Sequence, residues 1–470
     1  MKKLITLVFV VFTPFYIFAQ LSSFNLSSYK LPDISYHQLD FNLDLNGQNS
    51  VTERKFRVSD DTYLKYNGVS GNGNISYSFY KNTEKLQLNQ KVRTTFSSAF
   101  SEYNDKEILK YENYGYDGNI NLLSENRFYF SPDFFLETDL DFSGGSYYVH
   151  QYDYSKTQQI QINEYNLSIP ILTGFGRIEQ IQDARLAIYV FDELNKLGRL
   201  ARTPTDEEII QFSQFISDLK KERFFDSRLK NMRDIELIDS VLQSEGFIST
   251  MDSKYYVTLN DQWNYAAQPI RKSGKRISIG IKPEFLSSDY QNINKDETGN
   301  TYKSYEEKFE YGIGFGAKYN YEKPVNLYWQ SSFSFSFFGK YKKGTIKDLP
   351  YDVTIDSPQL ESTINYMLGF YPSTRTNLEL SFLVYYFNAF GEEIMSTNDE
   401  IKISHFILQP SSNLLINYYI SPKVRLRIDY NINYSYLESN SEYYGSLFNE
   451  FLKYNSFNQS LRFGFVFKIV

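Results

Sequence analysis

Charged side chains that alternate with apolar ones are the residues of this sequence best suited to chemistry. In the stretch VRLRIDYNINYSYL, residues 424–437, Arg425, Arg427 and Asp429 share one register and the apolar residues occupy the other. A period of two predicts a β-strand with two chemically different faces. The charged face could line a wet passage and select solutes by charge, or its charges could pair and brace a wall.

The same alternation recurs along most of the chain, for example at 276–285, 309–321, 325–338 and 461–469. A polar register that faces the inside of a closed sheet would gather its charges there. The candidate lining residues are Glu137, Asp139, Asp141, Arg276, Lys282, Glu284, Glu310, Lys318, Glu379, Arg425, Arg427, Asp429 and Arg462.

Catalytic and metal chemistry are not predicted. The three histidines, His37, His150 and His405, lie far apart, and none has a partner at metal-ligand spacing. A serine beside one of them, such as Ser404, carries little specificity in a serine-rich chain. The absence of cysteine excludes disulfides and thiolate zinc sites. We therefore expect no catalytic residues, no metal site, no cofactor and no enzyme activity.

The composition and the first residues indicate an exported β protein. The 470 residues include 42 Tyr and 40 Phe, which favour pleated sheets, and the net charge of −7 is too mild to predict a nucleic-acid partner. Residues 1–19 have a basic start, an apolar run and a final Ala19, which is the layout of a secretory signal peptide. No later run of about 20 apolar residues predicts a membrane helix.

The connections between the alternating stretches look unequal. Turn residues form short links such as 131–133 and 420–423. Long polar links are predicted at 100–117, 287–306, 340–358, 389–402 and 438–455. Short turns at one end and long loops at the other are typical of an outer-membrane barrel. The expected fold is an all-β transmembrane barrel of about 14 antiparallel strands, with 12 to 16 plausible, formed by residues 20–176 and 251–470.

Residues 177–250 break the alternation and predict an inserted small α-helical domain. Apolar residues recur there at helical spacing, Thr205 and Glu208 form a capping box, and Gly198 and Gly246 stand where helices would end. Counting strands back from the C-terminus places the domain in the periplasm. Its basic cluster could bind an acidic periplasmic partner or could be a solvated helix end. The cluster comprises Lys220, Lys221, Arg223, Phe224, Phe225, Arg228, Lys230 and Arg233.

The final stretch LRFGFVFKIV, the Ala19-Gln20 junction and the bias towards Asn, Tyr, Lys and Ile resemble outer-membrane β-barrel proteins of the Bacteroidota. The resemblance implies an outer-membrane location, contact with membrane lipid and insertion by the barrel-insertion machinery. We expect a porin-like channel for small solutes with a periplasmic helical domain. The alternative is a non-channel anchor whose helical domain docks a periplasmic partner in export or envelope assembly. An outer-membrane enzyme that uses His405 or His150 is the weakest hypothesis.

Overall fold

The structure is a computed structural model that describes most of the chain. The described residues are 24–54, 62–105, 110–153, 156–221, 227–265, 269–348, 351–395, 400–421, 424–443 and 450–467. The predicted signal peptide, residues 1–19, lies outside them.

Within the described ranges, fifteen strands form one antiparallel sheet. They are β1 (Ile34–Arg54), β2 (Thr62–Asn82), β3 (Leu86–Asp105), β4 (Lys110–Tyr129), β5 (Phe134–Asp153), β6 (Lys156–Ser168), β7 (Ile171–Gln180), β8 (Lys272–Lys295), β9 (Thr301–Pro324), β10 (Trp329–Asp348), β11 (Tyr351–Ser373), β12 (Thr376–Met395), β13 (Glu400–Ser421), β14 (Val424–Tyr443) and β15 (Glu450–Phe467).

Strands β6 and β7 together occupy one position of the sheet. Both pair with β5 and β8, β6 along one half of these neighbours and β7 along the other. Pro170 separates them, since proline cannot donate a ladder hydrogen bond. Its carbonyl still accepts a bond of 2.9 Å from the Asp139 amide. The path through the sheet therefore runs over 14 strands, in agreement with the expected number.

The two faces of the sheet differ as the alternation predicts. Large apolar side chains are exposed on the outer face, for example Ile277 at 54 % and Phe463 at 66 %. The inner face curves around a cavity whose lining extends from Asp141 on β5 to His405 on β13. The sheet is therefore barrel-like. Within the described strands, no backbone pairing joins β1 to β15.

Where the structure describes them, the predicted long polar links are almost entirely strand, so that prediction is wrong. Strand pairing extends as far as Lys295 opposite Thr301 and Asp348 opposite Tyr351. Polar outer residues extend these strands, as in the 3.6 Å ion pair between Lys343 and Asp356. Low hydropathy predicts loops because polar residues are typical of segments in contact with solvent. A strand that continues beyond the apolar belt is also in contact with solvent, so its residues are equally polar. Of the connections between described strands, the helical insert is the exception in length.

Four α-helices separate β7 from β8: α1 (Gln182–Lys196), α2 (Asp206–Lys221), α3 (Ser227–Ser244) and α4 (Ser253–Tyr265). The sequence did not predict α4, which falls in the range 251–470 expected to be barrel. No helix among the described residues is long and apolar enough to cross a membrane.

The predicted ends of these helices are confirmed. Glu208 accepts a 2.8 Å bond from the Thr205 amide, and the Glu208 amide donates to the Thr205 hydroxyl at 3.3 Å. These reciprocal bonds are those of a capping box. Gly198 and Gly246 have φ angles of 66° and 69°, which glycine adopts without steric cost. Sequence chemistry thus determines where α1 and α3 end and where α2 begins.

The apolar core lies in the helices and the N-terminal segment rather than inside the barrel. Phe24, Leu26 and Tyr29 pack with helix residues such as Ile188 and Ile216. The predicted stripe of α1 is buried, but so are residues on its opposite face, because neighbouring elements surround the whole helix. One of these elements is the end of the barrel wall, which Tyr189 of α1 contacts at Tyr371.

Candidate functional site: a charged lumen with a helical insert at one end

The helical insert, defined here as residues 181–271, packs against the sheet end that carries the short turns. It leaves the sheet at Gln180 and returns at Lys272, and these two residues are paired. The Tyr189 hydroxyl on α1 donates to the Tyr371 carbonyl at 3.4 Å, at the turn between β11 and β12. The insert therefore lies at the same end as the predicted tight turns.

Helix α4 contacts the same turn and the end of β13. Its Asp261 forms a 2.5 Å ion pair with Arg375, between β11 and β12. The ring of Tyr265 lies 6.4 Å from the ring of Tyr419 on β13, measured between centroids. The insert thus covers the β11 to β13 side of the barrel end.

The opposite side is covered by the end of β7 and the N-terminal segment. Arg177 donates to the carbonyls of Thr83 at 2.6 Å and Glu84 at 2.8 Å, in the turn between β2 and β3. The Leu31 amide donates to Glu179 at 3.1 Å. These contacts and those of the helices therefore place the insert, the end of β7 and the N-terminal segment against the short-turn end of the sheet.

Arg271 joins the insert to the turn between β9 and β10 by hydrogen bonds. Its guanidinium donates to the carbonyls of Leu327 (2.5 Å), Asn326 (2.7 Å) and Trp329 (2.7 Å), and to the Gln330 side chain at 3.2 Å. The residue is only 1 % exposed. Burial lowers the pKa of Arg271 to about 9, so the side chain remains a charged donor at neutral pH. The period-two alternation of the sequence does not predict a role for Arg271.

A buried polar chain joins the N-terminal segment to α1 and α2. The Asp183 carboxylate accepts hydrogen bonds from the Ser217 hydroxyl and from Lys220, the latter at 2.5 Å. The hydroxyls of Tyr29 and Ser217 lie 3.0 Å apart. Burial is the main cause that raises the pKa of Tyr29 well above its usual range, so its hydroxyl stays protonated at neutral pH.

The residues of the predicted partner-binding cluster have different environments in the structure. Lys220 and Lys221 form ion pairs within the protein, Lys221 with Asp218 at 2.7 Å. Lys230 and Arg233 also have interactions within the protein. Arg223, Phe224 and Phe225 lie outside the described residues, and Arg228 belongs to α3. Partner binding by this cluster stays a prediction, with Lys220 engaged in the helical core.

Asp192 is a buried carboxyl group on α1. It is 5 % exposed, and its Oδ1 atom has no hydrogen-bond partner among the described residues. Burial raises the pKa of Asp192 to about 6, against the opposing effect of Lys196. A raised pKa means that the folded protein holds this proton to a higher pH than the unfolded chain does. The contribution to stability is therefore present at low pH and is lost as the pH rises through about 6.

We expect Asp192→Asn to raise the free energy of unfolding by about 1 kcal/mol at pH 8 and to change it little at pH 4. The amide removes the buried negative charge that the wild-type protein acquires above its pKa. Thermal unfolding of both proteins from pH 4 to 8 measures the difference. Glu236→Gln, an exposed change on α3, is the control. A pH-independent effect of Asp192→Asn would contradict the prediction.

The lower lumen, nearest the insert, contains a compact ion cluster. Glu137 is 1 % exposed and pairs with Arg127 at 2.8 Å and with Lys318 at 3.1 Å. Lys318 also contacts Asp139 at 2.9 Å, and the positive charge of Arg276 acts on Glu137 as well. Four of the predicted lining residues are therefore brought together here. Arg127, which the predicted set missed, links them to β4.

A second ion cluster lines the cavity farther from the insert. The cavity has a volume of about 550 Å³. Glu284 contacts Lys282 at 2.7 Å and Lys340 at 2.9 Å, and Lys340 also pairs with Glu361. Asp141 and Glu310 of the predicted set line the same cavity. The sequence missed Lys308, Lys340, Lys342 and Glu361.

The missed lysines had a signal in the sequence. Lys340 and Lys342 continue the inward register of β10 beyond Ser336, with one residue between each inward side chain and the next. They fall in the stretch 340–358 that was interpreted as a link. Extending the period-two pattern through that stretch would have included them.

The remaining predicted residues lie on the far side of the lumen. Glu379 accepts a 3.2 Å bond from the Tyr371 hydroxyl, and Arg425 donates to the Tyr419 hydroxyl at 3.3 Å. Arg427 and Asp429 are 3.1 Å apart in an ion pair. Arg462 is opposite Asp429 in the ladder and remains exposed on β15. The structure does not join this group to the two ion clusters.

The three histidines are dispersed. His37 stacks on Phe79, with ring centroids 4.5 Å apart, and His150 stacks on Tyr114 at 4.8 Å. His405 lines the cavity. Among the described residues, no three His, Cys, Asp or Glu side chains form a group that could hold a metal ion.

Comparison with known proteins gives no family for this chain. It matches no protein-family profile, and no curated protein is significantly similar to it.

Proposed function

We propose that this protein is an outer-membrane β-barrel that conducts small polar solutes through its lumen when the helical insert moves away from the periplasmic end. The observation that carries the proposal is the ring of contacts between the insert, the N-terminal segment and the turns of the wall. The insert reaches the turns after β9 and β11 and the end of β13, and Arg177 at the end of β7 reaches the turn between β2 and β3.

Membrane placement is supported by the outer face of the sheet. Apolar side chains there are exposed along successive strands, among them Ile279, Ile313 and Phe465. A large exposed apolar surface on a water-soluble protein would favour aggregation, whereas lipid is its natural solvent. The resemblance to Bacteroidota outer-membrane proteins agrees with this placement. Insertion would then require the barrel-insertion machinery.

Conduction is supported by the charged interior. Burying an ion pair costs desolvation free energy. A barrel whose interior was packed with apolar side chains would be at least as stable as one with buried ion pairs. This lumen instead keeps charged side chains around a cavity of about 550 Å³. A polar interior of this kind suits the passage of hydrated solutes.

The test is the conductance of the purified protein in a planar bilayer with the insert held or free. The chain has no cysteine, so Asp261→Cys with Arg375→Cys creates a unique pair for a cleavable thiol crosslinker between α4 and the wall. We expect small or rare currents from the crosslinked protein and larger, more frequent currents after cleavage. Lys343→Cys with Asp356→Cys, a pair on the outer face, is the matched control.

Equal currents before and after cleavage of the α4 crosslink would overturn the gating role of the insert. A lack of current even after residues 182–265 are replaced by a short linker would overturn conduction. That second result would favour the anchor alternative. The exposed apolar side chains Leu229, Met232 and Val257 on α3 and α4 would then be the first places to seek a periplasmic partner.

A further inference from the structure

The lumen cavity has two chemically different sides. One side carries the Lys and Glu side chains of β8 to β11. The other is formed by β12, where Tyr385 and Phe387 also line the cavity. These two aromatic residues are separated by one position and share the inward register of the strand. A solute in the cavity would therefore meet aromatic surface on one side and hydrogen-bonding groups on the other.

The charged side is nearly neutral as a group. Its cavity-lining members are the cations Lys282, Lys308, Lys340 and Lys342 and the acids Glu284, Glu310 and Glu361, and Asp141 on β5 and Glu392 on β12 also line the cavity. The ion pairs described above already connect most of them, and Lys308 contacts Glu310 at 2.9 Å. An ionic ligand would have to displace one of these partners. A neutral ligand can add hydrogen bonds to paired groups without separating them.

We propose that this cavity binds a neutral polyhydroxylated solute, such as a short oligosaccharide. Hydroxyl groups would donate to Glu284 and Glu361 and accept from Lys340, which interacts with both carboxylates. The C–H faces of the sugar rings would pack on Tyr385 and Phe387. The cavity volume of about 550 Å³ is within the range typical of sites for small ligands.

This inference rests on the proposed function because it names the class of solute in the same lumen. Binding itself does not require the insert to move. The cavity lies away from the insert, towards the sheet end where β8 and β9 are joined by the short turn 296–300. Solute binding in the cavity and movement of the insert can therefore be measured separately.

The experiment is isothermal titration calorimetry of the full chain in detergent with maltotriose as the probe. Gluconate and spermidine serve as anionic and cationic comparisons. We expect maltotriose to bind with a dissociation constant on the order of 1 mM or lower, and the two ions to bind at least about 10-fold more weakly. Phe387→Ala and Tyr385→Ala should each weaken maltotriose binding by about 10-fold.

Phe390→Ala is the matched control, since Phe390 lies on the same strand and is 56 % exposed on the outer face. It should leave binding unchanged, and far-UV circular dichroism checks that each variant is folded. No heat of binding with maltotriose, tighter binding of either ion, or an equal effect of Phe387→Ala and Phe390→Ala would overturn the site. Binding without any bilayer current would keep the site and reject conduction. Current without maltotriose binding would reject the site and keep conduction.

Discussion

Arg271→Ala should lower the free energy of unfolding by about 3–5 kcal/mol and release the helical insert from the barrel end. The wild-type guanidinium donates to three carbonyls and one side-chain amide oxygen at the turn between β9 and β10. Alanine leaves these acceptors without their donor in a site that excludes water. Arg271→Lys should have an intermediate effect, because an ammonium group cannot reach all four acceptors from one position.

Limited proteolysis and thermal unfolding measure the two parts of this expectation. Cleavage within residues 181–265 should become faster in Arg271→Ala while the strands remain protected. Arg375→Ala is the control, because its ion pair with Asp261 is partly exposed and should contribute about 1 kcal/mol or less. Equal proteolysis of wild type and Arg271→Ala would show that the hydrogen bonds of this residue do not hold the insert.

Glu137→Ala should destabilise the barrel wall by about 3–5 kcal/mol. Its carboxylate lies between Arg127 and Lys318 and is 1 % exposed, so its removal leaves two cations without the anion they share. Glu137→Gln should cost less, since the amide oxygen can still accept one hydrogen bond. The measurement is urea unfolding of the detergent-solubilised protein.

Asp356→Ala provides the comparison, because it removes an exposed ion pair on the outer face of the same sheet. Its expected cost is about 1 kcal/mol or less. Lys318→Met should cost less stability in the Glu137→Ala background than in the wild type, because Lys318 has then already lost one of its two partners and keeps only Asp139. If the double variant is as unstable as the sum of both single changes, the cluster is not coupled through Glu137.

The two ion clusters correspond to the two interpretations that the alternating charges allowed. The lower cluster, around Glu137, is densely paired and braces β4, β5 and β9. The upper cluster lines a cavity large enough for a small solute. We therefore assign a structural role to the lower cluster and propose solute binding at the upper one. The alternation of charged residues does not distinguish the lower cluster from the upper one, because a period of two carries no information about the width of the lumen.

The sequence by itself determined the local features of this protein. Alternation from Val424 to Tyr436 predicts a strand and assigns its two faces, because successive side chains of a strand must point to opposite sides. The capping box of Thr205 and Glu208 and the glycine at 198 mark helix ends through interactions within a few residues. These features depend on neighbours in the chain, so composition and spacing are sufficient to reveal them.

Only the tertiary structure decided which polar groups meet and what the insert covers. Lys318 pairs with Glu137, which is 181 positions away in the sequence, and Arg271 donates to the Leu327 carbonyl, which is 56 positions away. Helix α1 is buried on all sides because the barrel end and the other helices surround it, whereas its sequence shows one apolar stripe. Periodicity describes the geometry of one element. The pairing of charges and the docking of the insert on the barrel end depend on how distant elements are placed, and no local pattern contains those distances.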